Sequence, residues 1–393
     1  MTCLFPPLAV CFTRDKVNKT NVAHLLHTVV YGGVETVILN WICRMNQNRF
    51  NVHLICLANP DGSEEPFVRA AHARGLTVSK IPWSKRKPIF KAAFMLRRFI
   101  EKHDIDILHT HNVNADAVGL MVRFLTPVKI ITTVYVWAKF ELKRNILQII
   151  NKVVIQFFDM VTPHCNDTYR KTAKFIHKRK LRLLICGFEL HIPKISEAER
   201  VRKRLSYGIR ENQILLANIA RFYPEKAQDF LLYCFKEIVS IFPNTRLWIL
   251  GVGPLESELK SLCTQLNLDS KVKFLGFVEN LAEILPLIDI QVHPSHMEGV
   301  PLSICSGMAA GLPIVVSDVG GIREIITHRK SGILVPEDDK RAFIAEVCDL
   351  IEKSEKRNSL GANARQFIEN KYSLKHAVEE VERTYIDLLG LNE

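Results

Sequence analysis

The feature that most constrains this chain is the alternation of short β-branched runs with longer helical stretches, sustained through both halves of its 393 residues. Val22–Val30 reads as a strand, Tyr31-Gly-Gly-Val as a turn and Glu35–Asn46 as a helix. Phe50–Leu57, Ile105–His109, Lys129–Val134 and Met160–Pro163 are further strand candidates with helices between them. After Leu183–Gly187 the pattern softens, and Glu189–Glu199 reads as a linker. It restarts with Gln213–Ala220, Thr245–Gly251, Val272–Leu275, Ile288–His293, Ile314–Ser317 and Gly332–Val335. Alternating strands and helices build parallel sheets covered by helices, and a chain this long exceeds one ordinary domain. The expected fold is therefore α/β, with two doubly wound Rossmann-like domains facing each other across a cleft. The expected division is 1–190 and 191–374, with a C-terminal helix from about 375 to 393 packing back on the first domain. Ligands in such sheets bind beyond the carboxyl ends of the strands.

With 48% hydrophobic and 24% charged residues the chain can bury a normal core, which excludes a disordered polymer. Ten scattered cysteines without a CxxC pair predict thiols in a reducing compartment. The apolar stretch at the N-terminus is broken by Pro6 and Pro7, and its basic residues follow it, unlike a signal peptide. No window reaches the ~18 apolar residues of a spanning helix, so a cytoplasmic location is expected. The net charge of +12 is uneven: residues 1–190 hold 28 Lys+Arg against 13 Asp+Glu. The first half is thus expected to face an anionic partner.

The densest chemistry lies in His296–Arg323 and the residues just before it, HPSHMEGVPLSICSGMAAGLPIVVSDVGG. A strand ends in the polar loop Pro294–Gly299, and a helix is expected to start at Pro301, a favoured first helical residue. Gly311 serves as a left-handed cap with Pro313 beyond, and Gly320-Gly321 forms another turn. A helix start offers unpaired N–H groups and the positive end of a dipole, which suits phosphate. Glu298, just ahead, can accept hydrogen bonds from sugar hydroxyls. In Asn218–Lys226 (NIARFYPEK), Arg221 and Lys226 flank a Pro-containing loop after a strand. Such a fork and point charge suit a departing diphosphate. Leu250-Gly-Val-Gly-Pro reads equally as a structural turn or as close backbone approach to a nucleotide by Gly251 and Gly253. It lacks the third glycine of a dinucleotide fingerprint. Gly32 and Gly33 open the first helix, where the backbone can approach an anion. His109 and His111 end a strand two residues apart, without a third ligand in sight to make a metal site. Asp104-Ile-Asp106 sits at the strand start and reads as a solvated edge.

The donor segment resembles the signature of the family 4 retaining glycosyltransferases (glycosyl transferases group 1), which have the two-domain GT-B fold. That signature has a glutamate, seven residues, a second glutamate, then Ala-Met-Ala-x-Gly-x-Pro-Val-Val. Glu298 matches the first glutamate and Met308-Ala-Ala-Gly-Leu-Pro matches the tail. The resemblance implies transfer of a hexosyl group from a nucleoside diphosphate sugar to an acceptor hydroxyl with retention, in polysaccharide, lipopolysaccharide or glycolipid assembly. It implies that Glu298 contacts the donor sugar and that the amides of Val300 and Leu302 hold the diphosphate. Arg221 and Lys226 match the family's cation pair, with Ala227 replacing the usual glycine. Gly32 and Gly33 match a glycine pair that touches donor phosphate and acceptor, and Gly253 matches a Gly-x-Gly-Pro turn. A histidine of the Leu108–Asn112 stretch reaches the sugar, and His111 is favoured over His109. Ser306 stands where the family's ribose-binding glutamate would be, which weakens the grip on the nucleoside. No metal or other cofactor is implied.

Trp83–Lys102 places Phe90, Phe94, Met95 and Phe99 beside Lys85, Arg86, Lys87, Lys91, Arg97 and Arg98, and Arg170–Arg182 is a second basic run. Basic amphipathic helices lie on anionic membrane surfaces; the plainer reading is a core-facing stripe with a solvated basic face. The expectation is peripheral docking on the inner membrane face, through Lys85–Lys87 among others, towards a lipid-linked or glycan acceptor. Nucleic acid is not expected, because no binding motif accompanies the charge. The rival readings are a same-fold epimerase or phosphorylase, and a non-catalytic or impaired sugar-nucleotide-binding subunit.

Overall fold

The computed structural model describes residues 19–391 apart from 30, 85–88, 138–141, 188–191, 194 and 279. Strands β1 (Thr20–His27), β2 (Phe50–Ala58), β3 (Val78–Pro82), β4 (Ile107–Thr110), β5 (Lys129–Val134) and β6 (Met160–Pro163) form one sheet in the order β3-β2-β1-β4-β5-β6. Strands β7 (Ile214–Ile219), β8 (Thr245–Leu250), β9 (Val272–Gly276), β10 (Ile290–His293), β11 (Ile314–Ser317) and β12 (Ile333–Val335) form a second, in the order β12-β11-β10-β7-β8-β9. Both sheets are parallel, and helices connect successive strands. Each order reverses once, between β1 and β4 and between β7 and β10. These are the switch points where such sheets open a crevice.

The central strands are buried on both sides, which is why they read as continuous apolar runs. β3 was absent from the expected strands for the complementary reason. Val-Ser-Lys-Ile-Pro buries only Ile81 and lies at a sheet edge, so it has no apolar run to recognise. Strand ends shift by a few residues: β1 begins earlier, because polar Thr20 and Asn21 still pair with Phe50 and Asn51. Val30, expected to end it, lies outside the described residues.

The last helix, Leu374–Leu389, packs on the first, Gly33–Arg44. Its Val378, Val381, Tyr385 and Ile386 share one core with Val22, Val37 and Trp41. Each such aliphatic side chain contributes about 1.5–3 kcal/mol by leaving water. The chain therefore crosses from the first sheet to the second and returns. The two crossings touch: a Cβ on Gly187 would stand 2.4 Å from the Ala377 methyl and 2.7 Å from the Ser373 carbonyl oxygen.

Candidate active site

Four strand ends at the two switch points face one another. On the second sheet, the loop after β7 is shaped from below by the turn after β8. Gly251 (φ +141°) would place a Cβ 2.0 Å from the Ala220 carbonyl oxygen, and Gly253 one 2.4 Å from that of Phe222. The two glycines thus let one loop lie on the other, a structural reason for glycine at both positions. The loop they support carries Arg221, exposed and stacked 5.1 Å over the Tyr223 ring. It ends in a 3-10 turn, Pro224–Lys226, followed by Ala227 in the left-handed region at φ 49°. That conformation costs a non-glycine residue about 1–2 kcal/mol, which explains the glycine usual there.

Lys226 Nζ donates to Glu298 Oε2 at 2.8 Å, and Ser295 Oγ donates to Oε1 at 2.8 Å. Glu298 is 6% exposed. Screening is weak at such a place, so this pair holds its geometry better than a surface pair. The Glu298 main chain is equally confined. A Cβ on Gly320 (φ +55°) would lie 1.9 Å from the Glu298 carbonyl oxygen, and one on Gly299 2.7 Å from His164 Nε2 of the first domain. The expected glycine turn at Gly320-Gly321 is thus a cradle for the carboxylate-bearing loop.

Two expectations for the adjoining helix are corrected. It spans Leu302–Ala309, with Pro301 as its N-cap in an extended conformation (ψ 123°), not as its first helical residue. The Val300 amide is not directed at a phosphate: it donates to His164 Nε2 at 3.2 Å. His164 Nδ1 in turn meets the Val134 carbonyl oxygen at 3.3 Å, and burial lowers its pKa to about 4. Leu302 keeps its place in the first turn, and its side chain packs with the first-domain core. Ser306 lies buried within the helix, and Gly307 has no room for a Cβ, which would overlap Gln291 Oε1 at 1.6 Å.

On the first sheet, Gly32 caps the opening helix, and its N–H donates to Glu35 Oε2 at 3.0 Å. Gly33 would meet the Leu302 side chain at 3.8 Å with a Cβ, an ordinary contact, so this helix start abuts the donor helix directly. Burial raises the Glu35 carboxyl pKa, and hydrogen bonding and Arg221 across the cleft oppose that. His111 is 1% exposed and has both ring nitrogens engaged, Nε2 with His24 Nδ1 at 2.9 Å and Nδ1 with the Tyr135 hydroxyl at 3.1 Å. It therefore stands behind Tyr135 and does not line the cleft bare. The register places His24 opposite His109, which supplies the third imidazole that the sequence reading lacked. Burial holds His24 down at about 3, and His109 and His111 well below the usual imidazole range. All their nitrogens are engaged in hydrogen bonds, so the cluster reads as a neutral network.

The domains are tied by a further carboxylate. Glu324 accepts hydrogen bonds from the Asn166 and Asp167 amides and from Asn166 Nδ2, each at 2.8 Å, capping the first-domain helix Asn166–Thr172. His24, Tyr135, His164, Glu35 and Glu324 were not among the expected site residues. Only Glu35, three residues after Gly32, carries a local signal, the capping spacing.

Two parallel Rossmann-like domains with a cation–carboxylate pair at their facing switch points define a GT-B group-transfer enzyme. The Glycosyltransferase Family 4 description matches residues 31–191 and Glycosyl transferases group 1 matches residues 176–367. The chain belongs to this type of glycosyltransferase. It is 24% identical over 390 residues to the UDP-Gal:alpha-D-GlcNAc-diphosphoundecaprenol alpha-1,3-galactosyltransferase of Escherichia coli, covering 95% of this chain and 98% of that one. It is 25% identical over 297 residues to the N-acetyl-alpha-D-glucosaminyl L-malate synthase of Bacillus anthracis, covering 74% and 76%. Its fold matches that of Anabaena HepE in complex with UDP and glucose at a TM-score of 0.82 and 17% identity, over 94% of this chain and 100% of that one.

Proposed function

We propose that this enzyme transfers a hexosyl group from a nucleoside diphosphate sugar to a hydroxyl of a lipid-linked acceptor, with retention of anomeric configuration. The observation that carries the reading is the confined Lys226–Glu298 pair beside Arg221, at the switch point of the second sheet. A diphosphate arriving there competes for Lys226 and frees Glu298 to accept hydrogen bonds from sugar hydroxyls. As the leaving group gains charge, Arg221, Lys226 and the helix start at Leu302 stabilise it. These cations supply the charge compensation, so the reading assigns no metal. The domain before the first crossing takes the acceptor side and the domain after it the donor side. Retention rests on the family resemblance, and the donor and acceptor classes are supported by the UDP, glucose and diphosphoundecaprenol in the relatives' names.

Calorimetry against uridine, guanosine and adenosine diphosphate sugars, followed by NMR of the product's anomeric proton, tests this. Micromolar binding of one donor and an unchanged anomeric configuration are expected. Absence of binding and turnover with every donor would sink it, and binding without turnover would favour the impaired-subunit reading that Ser306 raises.

The cytoplasmic membrane face is the proposed place of action, and the surface that supports it differs from the expected one. The helix Ile89–Lys102 buries Ala92, Ala93, Leu96 and Ile100, while Phe90 and Phe94 stay 75% and 49% exposed; Lys85–Lys87 lie outside the described residues. The fuller apolar stripe is on Leu142–Val154 and the turn after it, where Ile146, Ile149, Ile150, Val153 and Phe157 are exposed along one face. The basic turn Lys178–Lys180 adjoins it, with Lys180 donating to the Gln156 carbonyl oxygen at 3.0 Å. Apolar side chains rimmed by cations suit an anionic leaflet. None of the described helices is long and apolar enough to cross a membrane. Flotation with anionic vesicles, lost in an Ile149→Glu/Ile150→Glu variant, is expected; equal flotation with neutral vesicles would refute the docking.

A further inference from the structure

The histidine cluster extends past His111 in both directions, and its hydrogen bonds run one way. Thr162 Oγ1 donates to the Thr132 carbonyl oxygen at 2.9 Å, an atom that only accepts. With that proton spent, Thr162 accepts from Thr133 Oγ1 at 2.9 Å. Thr133 then accepts from His109 Nε2 at 2.7 Å. A neutral imidazole has one N–H, so His109 Nδ1 accepts from the Tyr385 hydroxyl at 2.7 Å. Tyr385 in turn accepts from His24 Nε2 at 3.2 Å. His24 Nδ1 accepts from His111 Nε2 at 2.9 Å, and His111 Nδ1 accepts from the Tyr135 hydroxyl at 3.1 Å. One carbonyl at the inner end thus fixes the direction of every bond to the cleft. Burial keeps all three imidazoles neutral, as the counting requires.

The outer end lies at the domain seam. The Tyr135 ring is 5.5 Å from that of His164, and the Tyr135 carbonyl oxygen would stand 3.1 Å from a Cβ on Gly299, next to Glu298. We propose that Tyr385, from the last helix, is a positioning residue that holds His111 in its Nε2–H form. His111 Nδ1, now covered by the Tyr135 hydroxyl, is thereby kept as an acceptor for a hydroxyl of the donor sugar. The inference rests on the reading that His111 meets that sugar. The alternative tautomer would present an N–H to the Tyr135 and sugar oxygens and leave His111 Nε2 dependent on a reversed His24.

Tyr385→Phe removes both the proton given to His109 and the oxygen that accepts from His24, so the direction is no longer imposed. Losing one net hydrogen bond of about 1 kcal/mol corresponds to roughly a fivefold loss. We expect kcat to fall three- to tenfold, with any rise in the donor Kd no larger than that fivefold. Thr162→Val, which removes the anchoring hydroxyl and keeps the volume, is expected to do the same more weakly. Nitrogen-15 spectra of histidine-labelled, ligand-free protein read the tautomers directly. Protonated Nε2 at His24, His109 and His111 is expected in the parent, with mixed forms in both variants. Protonated Nδ1 at His111 in the parent overturns the proposal, as does a Tyr385→Phe protein with lower thermal stability but unchanged tautomers and kcat. Because the spectra need no substrate, failure of the transferase reading would show as absent donor binding with the tautomers intact.

Discussion

The two walls of the cleft solve the same problem, holding polar groups in place, by opposite means. The second-domain wall uses charges at the edge of solvent: Arg221 exposed, Lys226 and Glu298 paired, glycines closing around them. The first-domain wall uses neutral groups in the interior, three imidazoles and two phenols linked in series. Charges suit a leaving diphosphate, whose charge grows during reaction. Neutral acceptors can receive hydroxyls without the cost of burying a charge. The walls should therefore respond differently to substitution and to pH.

The largest expected effect is on the charged wall. Lys226→Ala should lower kcat/KM for the donor by about 10²–10³-fold, as loss of a fixed group facing developing charge does. A loss below fivefold would mean that Lys226 does not face the diphosphate. The neutral wall should show in acid instead. Its histidines have folded pKa values below the unfolded 6.5, so their contribution is present above pH 6.5 and is lost as pH falls towards 3. At pH 5 the cost for His24 alone is about 2 kcal/mol. Asp116, buried and raised to about 6, and Glu35, also raised by burial, work the other way and gain stability as pH falls, but they are two groups against several. Urea unfolding at pH 7 and pH 5 measures the balance, and equal midpoints would break the contrast. Next comes the tie between the walls: Glu324→Ala removes a helix cap, worth about 1 kcal/mol, and should loosen the domains, read as faster amide exchange at Asn166 and Asp167. The smallest effect is expected at Ala227→Gly. Relief of about 1 kcal/mol of left-handed strain nearly cancels the loss of about 0.8 kcal/mol from a buried methyl, so the unfolding free energy should move by less than about 0.5 kcal/mol.

The same contrast explains what could be read before the structure. The charged wall is local: Arg221 and Lys226 lie five residues apart, and Glu298, Pro301 and Gly311 fall in one segment with turn and cap residues at telling offsets. The neutral wall is assembled across the chain. Tyr385 meets His24 across 361 positions, and no periodicity links them. Residue type alone also misleads where burial decides. Ile146, Ile149, Ile150 and Val153 have the spacing of a core stripe, and only the fold shows them uncovered by the described residues. Val300 looked like a phosphate donor from its position before a helix, but its amide is taken by a histidine 136 residues earlier.

The return of the last helix has a consequence for how the protein is made. Roughly two hundred residues separate β6 from Leu374, or about 10–40 seconds of synthesis at ribosomal speed. During that interval the first domain has its sheet but not the helix that covers Val22, Val37 and Trp41. The second domain can complete its core earlier, although it emerges later. The first domain is thus begun before the second and completed after it, its apolar groove open until Leu374–Leu389 arrives to fill it.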